Sequence, residues 1–145
     1  STDRTFFLTG VQLEVGQNPT EFEHQKFSQT LEQCQRYCVQ YDYTSTYESI
    51  LMPTYNLSTD DARGTFYFSV PMRAAPTLIT NGAGNFRIND NTNDQAASAV
   101  NLASSSASRV LLDWDKPTAN LTAAAVSYIN TESTNDALLR FDSEL

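Results

Sequence analysis

The chain has 145 residues, of which 40% are apolar and 18% are charged, so it is long enough to bury a core and is expected to form one compact domain. Its nine basic residues are scattered and its formal net charge is -8. This argues against nucleic-acid binding, because phosphate contacts need clustered Lys and Arg. Membrane insertion is not expected either, since no apolar run approaches the roughly 20 residues of a spanning helix.

The first predicted element is a strand near the N-terminus. Val11, Leu13 and Val15 alternate with polar residues, which places the apolar side chains on one face of a strand. Gly16 and Pro19 then break the pattern. The sequence therefore predicts a half-buried strand followed by a bend.

A helix is predicted after this bend, because apolar residues recur at intervals of four, three, four and three. These residues are Phe27, Leu31, Cys34, Cys38 and Tyr41. Ser28 is predicted to be the N-cap. On one helix face the two cysteines would have nearly parallel Cβ vectors, a poor geometry for a disulfide, so two free thiols are expected.

The rest of the chain predicts short strands separated by turns. A strand is predicted at the cluster of Tyr41, Tyr43 and Tyr47 with the Thr residues between them. Further strands are predicted at 66–72, 77–80, 97–102, 109–114, 121–129 and 137–141, where β-branched, aromatic or alternating apolar residues occur. Pro53 and Asn56 indicate a loop, and residues 59–64 a turn. The glycines of 81–85 predict a hairpin, and 89–94 a polar loop.

Short strands at regular spacing predict a mainly β fold. The expected architecture is an antiparallel, jelly-roll-like β-sandwich, preceded by the N-terminal strand and one short α-helix. Residues 1–40 are expected to form a junction and assembly element, and residues 41–145 the sandwich.

Two motifs resemble one family. FFLTGVQLEVGQNPTEFEHQKFSQTLEQCQRYC, residues 6–38, resembles the strand, linker and helix of many bacteriophage tail-fibre and related virion appendage proteins. FSVPMRAAPTLITNGAGNF, residues 68–86, resembles a strand and turn of the same terminal module, and the chain stops at FDSEL as those fibres often do. The resemblance implies a trimeric structural domain of the virion, and it brings no catalytic residues.

Few residues indicate catalysis. Glu23 and His24 are adjacent, but nothing near them in sequence resembles an activated nucleophile, so a structural or surface histidine is favoured. A glycan-cleaving enzyme needs two facing carboxylates, and the acidic pairs at 60–61 and at 113 and 115 are the candidates. Trp114, between the second pair, is either a core residue or a sugar-stacking platform.

No metal or other cofactor is expected. The oxygen-rich loop from Asp90 to Asp94 lacks the Gly and the distant Glu that complete an EF-hand calcium loop, so an ordinary turn is favoured. A cysteine-based metal site would need further Cys or His ligands, and the chain has a single histidine.

The sequence thus predicts the receptor-facing end of a phage tail or head fibre, located in the virion. Its expected partners are two further copies of itself, other virion proteins and a host-surface glycan or protein receptor. The alternatives are a capsid-decorating or appendage-anchoring protein and, in another class, a glycan-cleaving enzyme. The predicted oligomer interface is Val11, Leu13, Val15, Phe27, Leu31, Cys34 and Cys38, and the predicted receptor-binding residues are Asn81, Asn85, Asp90, Asn91, Asn93 and Asp94.

Overall fold

The structure is a computed structural model that describes residues 8–18, 20–22, 24–43, 51–131 and 136–144. Within these ranges one α-helix, α1 (Phe27–Gln35), precedes all the strands. The strands are β1 (Cys38–Tyr43), β2 (Met52–Asn56), β3 (Asp61–Tyr67), β4 (Thr77–Thr80), β5 (Phe86–Asn89), β6 (Asp94–Ala96), β7 (Ala99–Ser105), β8 (Arg109–Asp115), β9 (Val126–Thr131) and β10 (Ala137–Asp142).

The strands form two antiparallel sheets. A short sheet has the order β1-β10-β4, and a long sheet has the order β6-β5-β9-β2-β3-β8-β7. The sheets curl into a half-barrel, so the predicted mainly β, sandwich-like class with one helix is confirmed.

The curl of the long sheet brings its two ends together. Phe86 of β5 packs edge-on against Trp114 of β8, with ring centroids 5.2 Å apart, although three strands separate β5 from β8 in the sheet. The chain passes from β6 at one edge to β7 at the other through Ala97 and Ser98. The N–H of Ala97 donates to the Phe86 carbonyl and that of Ser98 to the Asp115 carbonyl, both at 2.8 Å. These two residues therefore link the edges of the sheet.

The core follows the period-two pattern of the strands. Val110, Leu112 and Trp114 are all buried, which confirms the alternation predicted for β8. The two sheets meet at a cluster of aromatic rings. The ring centroids of Phe66 in the long sheet and Phe141 in the short sheet lie 5.3 Å apart. This contact joins the long sheet to the short one.

Three polar side chains inside the long sheet, those of Thr54, Asn56 and Ser127, form hydrogen bonds with one another. The hydroxyls of Thr54 and Ser127 lie 2.7 Å apart, and Ser127 donates to the side-chain oxygen of Asn56 at 2.6 Å. The Asn56 amide donates to the Thr122 carbonyl at 2.9 Å, which fixes the segment before β9. Hydrogen bonding removes most of the cost of burying these groups.

The predicted N-terminal strand is wrong for the described part of the chain. Residues 8–18 form no strand, and the side chains of Val11, Leu13 and Val15 are exposed. Glu14 instead accepts a hydrogen bond from the backbone of Thr20 at 2.9 Å, so the segment turns back on itself. An alternating segment forms a β-strand only when a neighbouring strand pairs with its backbone, and no described strand pairs with residues 11–15. Phe7 and Pro19 lie outside the described residues.

The predicted helix is confirmed in part. It begins at Phe27 with Lys26 as the N-cap residue, so the assignment of Ser28 is wrong. The backbone N–H of Lys26 donates to the Gln29 side chain at 3.3 Å. Cys38 and Tyr41 belong to β1 and pair with β10, so the helical stripe does not extend past Cys34. Strand pairing overrides the local helical spacing here.

Two strand boundaries also differ from the prediction. β2 forms where Pro53 indicated a loop. The ladder between β2 and β3 begins only at Tyr55. Pro53 lies outside that ladder, so its lack of an N–H group removes no hydrogen bond between these two strands. β3 runs over 61–67, not 66–72, yet the burial alternation continues to Met72 after the ladder ends. Tyr47 lies outside the described residues.

The connection at 81–85 is not a hairpin. β4 pairs with β10 in the short sheet and β5 with β6 and β9 in the long one, so this segment carries the chain between sheets. Gly82, with a φ of 139°, allows that turn. The predicted loop at 89–94 is confirmed as the turn between β5 and β6. Of 121–129, only the part from Val126 onward is strand.

Gly64 is required for close packing between β2 and β3. A Cβ at this position would lie 2.8 Å from Thr54 Cγ2 and 3.0 Å from the Pro53 carbonyl oxygen, and would clash with the Met52 side chain. We expect Gly64→Ala to lower the free energy of unfolding by about 1–3 kcal/mol through overpacking, measured by urea denaturation. Gly84→Ala is the control, because its Cβ would meet only the Ala97 carbonyl at 4.0 Å. Equal stability of the two variants would contradict the packing argument.

Candidate functional site

The side-chain amides of Asn81 and Asn85, which were predicted to bind a receptor, form hydrogen bonds within the protein. Asn81 and Asn85 both donate to the carbonyl of Asp136, at 2.8 and 2.9 Å. The Asn81 side-chain oxygen also accepts from the Leu138 N–H at 2.9 Å. These side chains therefore tie the inter-sheet connection to the start of β10.

The turn from Asp90 to Asp94 is also stabilised from within. The Asp90 carboxylate accepts from the N–H groups of Thr92 and Asn93, at 3.1 and 2.7 Å. Burial raises the pKa of Asp90, but the hydrogen bonds from Asn93 and Thr92 outweigh it and hold the pKa below its usual value. Asp94 forms an ion pair with Arg87 at 2.8 Å.

Two residues of this turn differ in their freedom to bind a receptor. The Asn93 side-chain amide donates to the Asn120 backbone carbonyl at 3.0 Å, and the Asn120 side-chain amide donates to the Asn93 side-chain oxygen at 3.3 Å. Asn91 has a positive φ of 69°, and its side chain has no hydrogen bond to any described residue. A receptor-binding role for the two loops stays a prediction. Many of their side-chain donors and acceptors already form hydrogen bonds within the protein.

The predicted oligomer-interface residues form an exposed apolar surface. Leu13 and Val15 are almost fully exposed, Phe27 is 81% exposed, and Leu31 and Cys34 are exposed as well. Cys38 is half-buried at the start of β1, and both cysteines carry free thiols. Leu8 and Phe22, which the alternation and helical patterns did not mark, are also exposed. We call the exposed apolar residues of 8–31 the N-terminal apolar surface.

A groove of about 830 Å³ separates α1 from residues 70–72. His24, Gln29, Glu32 and Arg36 line its helix side. The ring of His24 packs edge-on against Phe22, with centroids 4.9 Å apart, which agrees with a structural or surface histidine. Glu23, its predicted partner, lies outside the described residues. Among the described residues no cluster of His, Cys, Asp or Glu could hold a metal ion.

Trp114 belongs to the core. It is fully buried against Phe86, so the sugar-platform interpretation is wrong and the core interpretation is confirmed. The acidic residues on either side of it point to the opposite, outer face of the long sheet, because strand side chains alternate.

On that outer face, β3 and β8 carry a row of charged side chains. Arg63 donates to both oxygens of Asp113, at 2.5 and 2.7 Å, in a bidentate ion pair. Asp61 lies opposite Asp115 in the ladder, and one of its oxygens is buried without a hydrogen bond to any described residue. Burial, followed by the charges of Asp113 and Asp115, raises the pKa of Asp61.

Farther along the same face lies a second groove, of about 560 Å³, which the sequence analysis did not identify. It is lined by Thr65, Tyr67, Ser104, Ser106, Ser108, Arg109 and Leu111, and we call it the Arg109 groove. The pattern that marks Val110 as buried also places Arg109 on the outer face. The alternation in β8 therefore indicated an exposed Arg109, but the sequence did not show which strand lies beside β8 and hence which residues surround Arg109.

Comparison with known proteins adds no family assignment. No protein-family model matches the chain, and neither the curated proteins nor the solved structures give a match. None of the described helices has the length and hydrophobicity needed to cross a membrane.

The buried Asp61 oxygen that lacks a hydrogen bond leads to a pH-dependent prediction. Because its folded-state pKa is raised, ionisation of Asp61 destabilises the folded protein at pH 7. This penalty disappears as the pH falls through the raised pKa to the ordinary value of 3.8. Asp61→Asn should therefore raise the free energy of unfolding by about 1 kcal/mol at pH 7 and give no gain below that value.

The measurement is thermal unfolding at several pH values, with Asp42→Asn as the control because Asp42 is exposed on β1. A gain for Asp61→Asn that is equal at neutral and acid pH would contradict the role assigned to ionisation.

Proposed function

We propose that this chain is the receptor-attachment domain of a virion appendage, such as a phage tail or head fibre, and that it works as a homotrimer. The observation that carries the proposal is the N-terminal apolar surface. Its residues belong to the segment that resembles the junction of phage fibres, and the trimer comes from that resemblance.

The energetic argument for self-association is the cost of this exposure. The N-terminal apolar surface includes Leu8, Val11, Leu13, Val15, Phe22, Phe27 and Leu31. Full burial of one such side chain contributes roughly 1.5–3 kcal/mol, so covering them together would offset a large part of the entropy lost on association. A segment that exposes this many large apolar side chains is typical of an interaction site.

The described residues of α1 support the same conclusion. Every one of them is at least partly exposed, although Phe27 and Leu31 form the apolar side of the helix. Helices of this length gain most of their stability from packing of an apolar face, and nine residues are too few for a stable isolated helix. Packing against neighbouring copies would supply that stabilisation.

Sedimentation velocity at micromolar concentration tests assembly. The wild-type chain should sediment as a trimer, and Val11→Glu or Leu13→Glu should shift it to monomer because three buried charges would meet at the interface. Val126→Glu is the control, since Val126 and Val11 are both 69% exposed but Val126 lies in β9. A compact wild-type monomer would contradict the trimer proposed for this segment.

A glycan array with the wild-type chain tests attachment and separates the alternatives. Binding without release of a smaller sugar is the expected result. Release of sugar would favour the glycan-cleaving enzyme, and absence of any binding would favour a capsid-decorating or anchoring protein.

A further inference from the structure

The strand register places the side chains of the Arg109 groove on one face. In β8, Val110 and Leu112 are buried, so Arg109 and Leu111 point outward. Across the ladder, Tyr67 of β3 lies opposite Arg109, and Thr65 lies opposite Leu111. The floor of the groove is therefore two adjacent cross-strand pairs of the long sheet.

A β-bulge in β7 brings a further hydroxyl to this face. Leu102 pairs with the inward-facing Leu112, and in a regular strand Ser104, two residues later, would also face inward. The register shifts between Leu102 and Ser104, so Ser104 pairs with the outward-facing Leu111. Bulges often re-aim side chains beside functional sites, and here the bulge adds Ser104 to the groove.

The polar groups of the groove remain available to a ligand. The guanidinium of Arg109 forms no ion pair or hydrogen bond with any described residue, unlike those of Arg63, Arg87 and Arg140, which are paired. Tyr67 is 67% exposed. The hydroxyls of Thr65 and Ser104 likewise have no hydrogen bond within the described residues, whereas Ser106 is used to stabilise the β7–β8 turn.

The nearby negative charge is largely neutralised. Asp113, which points to the same face two residues after Leu111, is held in the bidentate ion pair with Arg63. At physiological ionic strength the net charge of -8 is screened over about 8 Å. Arg109 is the one charged residue among the described residues that line the groove.

We infer that the Arg109 groove binds a sugar unit that carries a carboxylate, of the uronic-acid or sialic-acid type. The inference rests on the proposed receptor-attachment function and names the class of receptor. The guanidinium fork of Arg109 matches a carboxylate in two parallel hydrogen bonds. Tyr67 offers a ring against which the apolar face of a sugar packs, and Thr65 and Ser104 offer hydroxyls to its own hydroxyl groups.

The combination favours this class over two others. A neutral sugar would use Tyr67 and the hydroxyls but would leave the Arg109 charge without a counter-charge. Inorganic phosphate would satisfy Arg109 but would leave the exposed face of Tyr67 uncovered.

The experiment measures binding to the intact chain by surface plasmon resonance at fixed, physiological ionic strength. The probes are trigalacturonate and 3′-sialyllactose, and each is compared with its own fully methyl-esterified, neutral form. At least one acidic probe should bind, and its neutral counterpart should bind at least about tenfold more weakly, as expected for loss of one charge-assisted contact. The comparison of the two acidic probes separates uronic from sialic acids.

Variants assign the binding to the groove. Arg109→Gln and Tyr67→Ala should each weaken binding of the acidic probe by about tenfold, and Arg109→Lys should give an intermediate loss because it keeps the charge but not the fork. Lys26→Gln is the charge-matched control and Tyr55→Ala the aromatic control, since both residues are exposed outside the groove. Both controls should retain wild-type affinity, and circular dichroism should show every variant folded.

Three results would overturn the inference: equal affinity for the acidic and neutral probes, binding that folded Arg109→Gln retains, or displacement of the sugar by an equal concentration of inorganic phosphate. Failure here is distinguishable from failure of the proposed function. If Arg109→Gln binds glycans on the array as well as the wild-type chain does, the proposed sugar site is wrong and the proposed attachment function is unaffected. If the wild-type chain binds no glycan on the array, the attachment function itself is contradicted.

Discussion

The contact between Phe86 and Trp114 is the constraint on which the rest of the structure depends. It joins β5 and β8, which lie four positions apart in the long sheet, so it exists only if the sheet curls. Curling encloses the inner faces of the strands, and large buried side chains fill that interior. A filled interior offers a ligand no space, so binding is confined to the outer face and the loops. Ala97 and Ser98 hold the same curl through their N–H groups, which donate to the carbonyls of Phe86 in β5 and Asp115 in β8.

The interior also contains polar groups that are satisfied to different degrees. Asn56 is surrounded by hydrogen-bond partners and fixes the approach to β9. Lys116, at the end of β8, is buried, and its amine has no partner among the described residues. Burial lowers the pKa of Lys116, against the opposing effect of Asp90 and Asp94. Burial of this amine without a hydrogen bond is therefore unfavourable, and the carboxylates of Asp90 and Asp94 in the β5–β6 turn partly compensate it.

The sequence predicted those elements whose local pattern and tertiary environment agree. β4, β8 and β10 are found where β-propensity or alternation placed them. One face of β8 and of β10 is buried, and Leu78 of β4 is half-buried against the core. Where no partner strand is described, as for Val11 to Val15, the same alternation formed no strand. Cys38 shows the opposite case, because pairing with β10 recruited it into a strand. The Arg109 groove was beyond prediction, since it depends on which strand lies beside β8 and on a bulge that no residue type announces.

The two surfaces to which roles are proposed are chemically distinct, and this difference suggests how the molecule divides its tasks. The N-terminal apolar surface precedes β1 and has almost nothing to offer a polar ligand, whereas it gains strongly from exclusion of water. The Arg109 groove lies on the outer face of a hydrogen-bonded sheet, whose register fixes the backbone positions of Arg109 and Tyr67 as a cross-strand pair. Assembly through the first surface would present three such grooves together. Weak binding of one sugar unit at each site would then add up to firm attachment, because the second and third contacts form at high effective concentration.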